Sequence, residues 1–213
     1  AYEIRNCDWS SDVCSSDLSS DAILCGARTL EETGATLGNG GARYDRLRIR
    51  NQRRPHPLRV AVSGSASVSP NAALWKDRSS PIIAWVLGDA PASRLKLVSS
   101  LADEVWTSPG PSIDVLAGLE WLHSRHGVRD VMVEGGGSLN DAFIRAGAFD
   151  ELHLTWCPLL MGGARSPTAM DGIGFGRMAD ALRMELKSIQ RHGDEMYLVY
   201  QRRPRSEEHT SEL

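Results

Sequence analysis

The chain has 213 residues, of which 41% are hydrophobic and 24% are charged, and its formal net charge is −3. This length and composition predict one domain with a sizeable core, and the weak charge argues against nucleic acid or a membrane surface as a partner. No apolar run reaches the ~18 residues that a membrane helix needs.

The two ends of the sequence resemble translated adapter rather than native protein. Residues 205–213 back-translate naturally to a nucleotide string whose reverse complement encodes residues 10–18. An adapter ligated to both ends of a library fragment explains this complementarity, whereas a disordered tail explains only the composition. We therefore predict artefacts at 1–18 and 205–213 and a native domain, truncated at its N-terminus, over 19–204.

Excluding those ends changes the charge and the cysteine count. Two of the 24 basic and seven of the 27 acidic residues are removed, so the remaining chain carries a charge of about +2. Only Cys25 and Cys157 remain, each inside an apolar run. Two buried thiols suggest a reducing compartment rather than a disulfide scaffold.

The predicted strands are short apolar runs stopped by glycine, proline or polar residues. In chain order they cover residues 21–26, 58–64, 81–87, 104–107, 131–133 and 152–160, followed by a hairpin over 182–200. Helices are predicted to begin after residue 26 and to cover 113–126 and 138–145. Residues 33–57 lack periodicity and are too long for an ordinary loop, so this stretch is either functional or partly disordered.

The third of three strand-end turns, residues 134–138, carries the strongest chemical signal. Glu134 precedes Gly135, Gly136 and Gly137, and Ser138 begins a predicted helix. Glycines let the backbone adopt positive φ and approach a ligand closely, and a helix start attracts anions. We predict a bound phosphate, although the glycines could instead serve only a tight turn and close helix–sheet packing.

The first strand-end turn, residues 26–29, has related chemistry. The strand ends at Gly26, and Arg28 and Thr29 follow at the start of a helix. Arginine can hold a phosphate through two hydrogen bonds, and threonine can donate one. This turn is therefore a second candidate phosphate contact.

The second turn, residues 63–67, presents small hydroxyl side chains after a strand. Taken alone, Ser63 and Ser65 are ordinary turn residues. Ligands of α/β sheets bind at the carboxyl ends of strands, so three such turns together predict one elongated ligand with several phosphates.

These motifs occur in an order that resembles the dihydrofolate-reductase-like superfamily. The motifs are Gly-Ala-Arg-Thr at 26–29, the serine turn at 63–67 and Glu-Gly-Gly-Gly-Ser-Leu-Asn at 134–140. The sequence is most similar to the riboflavin-biosynthesis reductase domain of bifunctional deaminase–reductases, and residues 150–155 and 193–200 also resemble it. The resemblance implies a single α/β domain with a mixed, mostly parallel central sheet, flanking helices and a C-terminal antiparallel hairpin.

By this resemblance the chain would use NADPH to reduce the ribosylamino group of a phosphorylated pyrimidinone to ribitylamino. Thr29 and the backbone of residues 135–137 would hold the pyrophosphate, and the serines and Arg28 would contact the adenosine end and its 2′-phosphate. The residues expected at the cofactor are Gly26, Arg28, Thr29, Ser63, Ser65, Gly135, Gly136, Gly137 and Ser138.

Glu134 would lie near the nicotinamide and the sugar being reduced. A carboxylate there could orient ribose hydroxyls or stabilise a developing iminium. It could equally be a strand-end carboxylate that bonds only to neighbouring backbone.

The resemblance also implies a cytoplasmic homodimer built through the C-terminal strands. Leu152, Leu154, Trp156 and Leu160 alternate with polar or small residues, as an interface or an internal sheet face would. No metal site is expected. The basic tract 43–54 stands where the family has a segment for the substrate phosphate, so it either binds phosphate or is a solvated loop.

Two other functions remain open from the sequence. One is a related enzyme of the same fold that acts on a pterin or another carbonyl or imine. The other is a protein that binds NADPH or forms oligomers without turnover.

Overall fold

The structure is a computed structural model that describes residues 18–38, 41–160, 162–163, 166 and 168–203. Apart from Leu18, both predicted adapter segments lie outside the described residues. Five strands form a parallel sheet in the order β4-β3-β2-β1-β5. They are β1 (Ala22–Gly26), β2 (Leu58–Val62), β3 (Ile82–Leu87), β4 (Glu104–Ser108) and β5 (Val131–Val133).

Helices connect successive strands, because a parallel neighbour can be reached only by a crossover. They are α1 (Ala27–Thr33), α2 (Ala42–Arg50), α3 (Ala73–Lys76), α4 (Ala92–Leu101), α5 (Val115–His126) and α6 (Gly137–Arg145). The predicted end of α5 at His126 is confirmed, whereas the helix starts at Val115, two residues later than predicted. The Asp114 side chain accepts the Ala117 N–H at 3.0 Å at its start, and Gly127 ends it with φ 70. None of the described helices is long and apolar enough to cross a membrane.

The parallel strands are buried on both faces, which explains their nearly continuous apolar sequences. In β1, Leu24 packs into one cluster with Trp85 and Phe143, whereas Ile23 packs into another with Trp75. Successive side chains of a strand point to opposite faces, so the sheet lies between two cores. Burial of Cys25 and Cys157 is confirmed.

The 33–57 stretch contains α2, which the sequence did not predict. Its arginines conceal the pattern: Arg48 is fully buried, and its Nε donates to the Arg54 carbonyl at 2.9 Å. Arg53 binds Asp21 at 2.5 Å and Asp130 at 2.6 Å, next to the starts of β1 and β5. Arg53, at the end of the basic tract, therefore links the amino ends of β1 and β5 through two ion pairs.

The C-terminal strands form a second sheet rather than an extension of the first. Strands β6 (Glu151–Trp156), β7 (Met184–His192) and β8 (Glu195–Arg202) pair antiparallel in the order β6-β8-β7. The predicted hairpin is confirmed. The strand predicted over 152–160 ends earlier, at Trp156, before the buried Cys157 and the exposed Pro158.

The chain changes direction across the parallel sheet at β1. Strand β2 lies on one side of β1, and β5 lies on the other. Ligands of open α/β sheets bind in the crevice outside the carboxyl ends of strands at such a switch point. The fold therefore indicates a ligand-binding crevice at the carboxyl ends of β1 and β5.

Candidate functional site

The three predicted turns meet at the carboxyl edge of the parallel sheet. They follow β1, β2 and β5, which are neighbours in the order β2-β1-β5. The register pairs Gly26 with Val62 and Leu24 with Val133, so the three strands end at nearly the same level. The sequence predicted the turns separately, and the sheet order brings them together.

The 26–29 and 134–138 turns are in direct contact at the switch point. The Gly26 N–H donates to the Gly135 carbonyl at 3.3 Å. Gly135 and Gly136 have φ of 93 and 92, a region that side chains rarely adopt. A Cβ on Gly136 would lie 3.1 Å from the Thr29 Oγ1. A side chain at residue 136 would therefore be strained by this φ and would move the Thr29 hydroxyl by a few tenths of an ångström.

Helix α6 starts at this contact with no side-chain cap. Its N-cap residue is Gly136, whereas α5 begins with the Asp114 carboxylate on a backbone N–H. The first N–H groups of a helix need an acceptor, and the helix dipole favours a negative one. Gly137 is half-buried and Ser138 is exposed in this first turn. The residues present fit a phosphate between Thr29 and the start of α6.

The 63–67 turn lies beside this contact and is held by hydrogen bonds to β3 and within the turn. The Ser63 N–H donates to the Trp85 carbonyl at 2.9 Å, and its hydroxyl donates to the Ser67 carbonyl at 3.0 Å. Ser65 is exposed, and its carbonyl accepts from the Arg94 Nη1 at 3.4 Å. Ser63 thus shapes the turn, while Ser65 faces solvent.

An open groove of about 500 Å³ continues the same edge beyond β2. It lies between the ends of β3 and β4 and is lined by Gly88, Asp89, Thr107, Ser108, Pro109, Gly110 and Pro111. The groove extends the carboxyl edge beyond the three turns.

Glu134 follows β5 directly and is half-buried, and its N–H donates to the Leu24 carbonyl at 2.8 Å. The nearby Cys25 Sγ lies 3.9 Å from the Glu134 carbonyl and 3.8 Å from that of Gly135. Burial, and secondarily the Glu134 carboxylate, raises the pKa of the Cys25 thiol to about 12. Cys25 is therefore neutral at physiological pH and packs beneath the site instead of acting as a nucleophile.

Two arginines that were candidates for phosphate binding lie at different edges of the sheet. Arg28 is exposed on α1, one residue before Thr29. Arg53, at the end of the basic tract, lies at the opposite edge of the sheet, because it binds Asp21 and Asp130 before β1 and β5. Among the described residues, no group of three or more His, Cys, Asp or Glu side chains could hold a metal ion.

The sequence did not predict the segment 168–174, which lies against α6. The Asn140 Nδ2 donates to the Ala169 carbonyl at 2.8 Å, and the buried Asp141 accepts the Gly174 N–H at 3.1 Å. Arg145 and this N–H hold the pKa of Asp141 below its usual value despite burial, which alone would raise it. The adjacent polar residues Asn140 and Asp141 are a sequence sign of this contact with the segment 168–174. Their partners lie about thirty residues later, so no local sequence pattern identifies them.

Asp171 of this segment approaches the first residue of α6. A Cβ on Gly137 would lie 2.6 Å from the Asp171 Oδ2 and 2.7 Å from the Asp171 nitrogen. The start of α6 therefore has the Thr29 hydroxyl near Gly136 on one side and a carboxylate close to Gly137.

Residues 7–198 match the profile of the RibD C-terminal domain. The chain belongs to the RibD C-terminal domain family. The match begins inside residues 1–18, whose assignment to adapter stays a prediction.

Several RibD-family relatives are reductases by name. The chain is 33% identical, over 175 residues, to the 2,5-diamino-6-ribosylamino-4(3H)-pyrimidinone 5′-phosphate reductase of Archaeoglobus fulgidus, covering 82% of this chain and 76% of that protein. The reductase of the same name from Methanothermobacter thermautotrophicus is 32% identical, over 68% of this chain and 66% of its own length. The riboflavin biosynthesis protein RibD of Bacillus amyloliquefaciens is 29% identical over 67% of this chain, which spans only 38% of it.

Solved structures share the fold of this RibD-family chain. A pyrimidine reductase-like protein from Corynebacterium diphtheriae superposes with a TM-score of 0.69 at 21% identity, over 88% of this chain and 78% of the other. The riboflavin biosynthesis reductase of Saccharomyces cerevisiae gives a TM-score of 0.60 at 14% identity, over 88% and 77%. The predicted α/β fold, with a mostly parallel central sheet, flanking helices and a C-terminal antiparallel hairpin, is confirmed.

Proposed function

We propose that this chain is an NADPH-dependent reductase of riboflavin biosynthesis that converts the ribosylamino side chain of a phosphorylated pyrimidinone to ribitylamino. The observation that carries the proposal is the contact between the 26–29 and 134–138 turns at the switch point of the sheet. Relatives named as reductases of the diamino pyrimidinone 5′-phosphate give the substrate class.

The cofactor would lie across the three turns. Its pyrophosphate would accept hydrogen bonds from the Thr29 hydroxyl and from backbone N–H groups of residues 135–138, including that of Ser138. The positive end of the α6 dipole favours this charge. The adenosine end would then pass over the 63–67 turn, where Ser65 is exposed. When bound, the nicotinamide supplies a hydride.

Glu134 is the residue we assign to the reacting sugar. Reduction breaks the bond between C1′ and the ring oxygen and adds hydride to C1′, and the released oxygen takes up one proton from water. Positive charge develops at C1′ and the attached nitrogen before hydride arrives. A half-buried carboxylate at the end of β5 is suited to stabilise that iminium and to orient the ribose hydroxyls.

The chain would work as a cytoplasmic homodimer through its C-terminal sheet. One face of this sheet carries two rows of apolar side chains that cross its three strands. One row is Leu152, Tyr200 and Leu186, and the next is Leu154, Leu198 and Ile189. On that face Leu186 is 47% exposed and Ile189 is 56% exposed. An exposed apolar surface of this kind is typical of an interface.

The test follows the absorbance of reduced nicotinamide with two substrates, the diamino pyrimidinone 5′-phosphate and its deaminated uracil analogue. Oxidation of NADPH with formation of the ribitylamino product supports the proposal. Oxidation with dihydrofolate alone would assign a pterin substrate instead. NADPH binding without oxidation on any pyrimidinone would make the chain a binding protein.

A further inference from the structure

We propose that Arg94 recognises the 2′-phosphate of the cofactor and thereby selects NADPH over NADH. This inference rests on the proposed function, because it assigns one part of the same cofactor to one more residue. Arg94 lies on α4, which belongs to none of the three turns.

The position of Arg94 is set by the strand order. Helix α4 follows β3, and β3 is the neighbour of β2, which carries the 63–67 turn. Arg94 is the third residue of α4, and its Nη1 donates to the Ser65 carbonyl at 3.4 Å. The guanidinium therefore lies at the carboxyl edge, against the exposed part of the turn assigned to adenosine.

The length of the cofactor directs its adenosine towards this arginine. With pyrophosphate at the junction of β1 and β5 and nicotinamide near Glu134, the adenosine must extend towards β2 and β3. Strands lie about 4.8 Å apart, so the end of β3 is about 10 Å from that of β1. The groove beside Gly88, Asp89 and Thr107 gives the adenine base room next to α4.

The chemistry of Arg94 suits a phosphate monoester better than a hydroxyl. A guanidinium has five N–H donors in one plane, and the contact with Ser65 uses one of them. The remaining N–H groups of the guanidinium can donate to two phosphate oxygens. Asp89 lines the neighbouring groove and would favour NADH instead, because a carboxylate accepts a hydrogen bond from an unmodified ribose 2′-hydroxyl. A preference of the wild type for ADP over 2′,5′-ADP would therefore assign the selection to Asp89 and overturn this proposal.

Binding of adenosine fragments tests this assignment without requiring turnover. Titration calorimetry would compare 2′,5′-ADP with ADP on the wild type, Arg94→Ala, Arg28→Ala and Lys96→Ala. Lys96 is the matched control, because it is exposed, carries the same charge and lies two residues along α4, on another face of the helix.

We expect Arg94→Ala to lose about 10- to 100-fold in affinity for 2′,5′-ADP and to keep its affinity for ADP. Lys96→Ala should match the wild type for both ligands, and Arg94→Lys should restore part of the loss. The NADPH-to-NADH ratio of kcat/KM should fall in parallel in Arg94→Ala.

Two further results would overturn the assignment. If Arg94→Ala retained the preference for 2′,5′-ADP, or if Arg28→Ala alone abolished it, Arg94 would not read the 2′-phosphate, while the cofactor proposal would stand. If the wild type bound neither 2′,5′-ADP nor NADPH, the proposed function itself would fail.

Discussion

Gly136→Ala perturbs the contact on which the cofactor site depends. Gly136 has φ 92, and a residue with a Cβ in such a conformation is strained by about 1–3 kcal/mol. The new Cβ would lie 3.1 Å from the Thr29 Oγ1, so the hydroxyl has to move by a few tenths of an ångström. Losing one hydrogen bond to a charged phosphate would weaken NADPH binding roughly 10- to 100-fold.

Gly127→Ala separates the effect on binding from the effect on folding. Gly127 also has positive φ, 70, but a Cβ there meets nothing within 4 Å, and it ends α5 at the opposite edge of the sheet. It should lose ~1–2 kcal/mol of stability without changing cofactor affinity. Thermal unfolding and NADPH fluorescence titration would be measured on both variants. Unchanged NADPH affinity in Gly136→Ala would refute the phosphate site.

Three further changes test other parts of the account. Glu134→Gln should lower kcat about 100-fold or more while the Kd of NADPH stays constant, because the charge of Glu134 is needed only as the iminium develops. An unaltered kcat in steady-state kinetics would exclude this role. Asp171→Asn should tighten NADPH binding about 2- to 5-fold at low salt, since it removes a negative charge beside the start of α6, and weaker binding in a titration would contradict that. Ile189→Asp should give a folded monomer by light scattering, whereas a persistent dimer would place the interface elsewhere.

The sequence predicted the parallel strands and the turns that follow them, whereas the roles of the turn residues stay predictions. Each parallel strand is a short apolar run, and each strand-end turn carries its own signal, as Gly135–Gly137 do after Val133. The adjacency of the turns follows from the strand order, and no local pattern encodes that order. The resemblance to a known family supplied what the periodicity could not.

Helices α2, α3 and α4 are not predicted by the sequence, and the missed contacts involve charged side chains whose burial or partners local spacing does not reveal. Arg48 makes α2 look like a solvated segment, yet it is fully buried. Asp141 meets Gly174, and Arg94 meets Ser65, each about thirty residues away along the chain. Charged side chains that are buried or paired across the fold cannot be recognised from hydrophobic spacing alone.

Isotope transfer from the cofactor would show whether its hydride reaches C1′ of the substrate. The chain would be incubated with NADPH deuterated at the transferable position of the nicotinamide and with the phosphorylated ribosylamino pyrimidinone, and the product would be analysed by mass spectrometry and NMR. We expect one deuterium at C1′ of the ribityl chain for each NADPH oxidised. Oxidation without label at C1′, or substrate recovered unchanged beside intact NADPH, would contradict it.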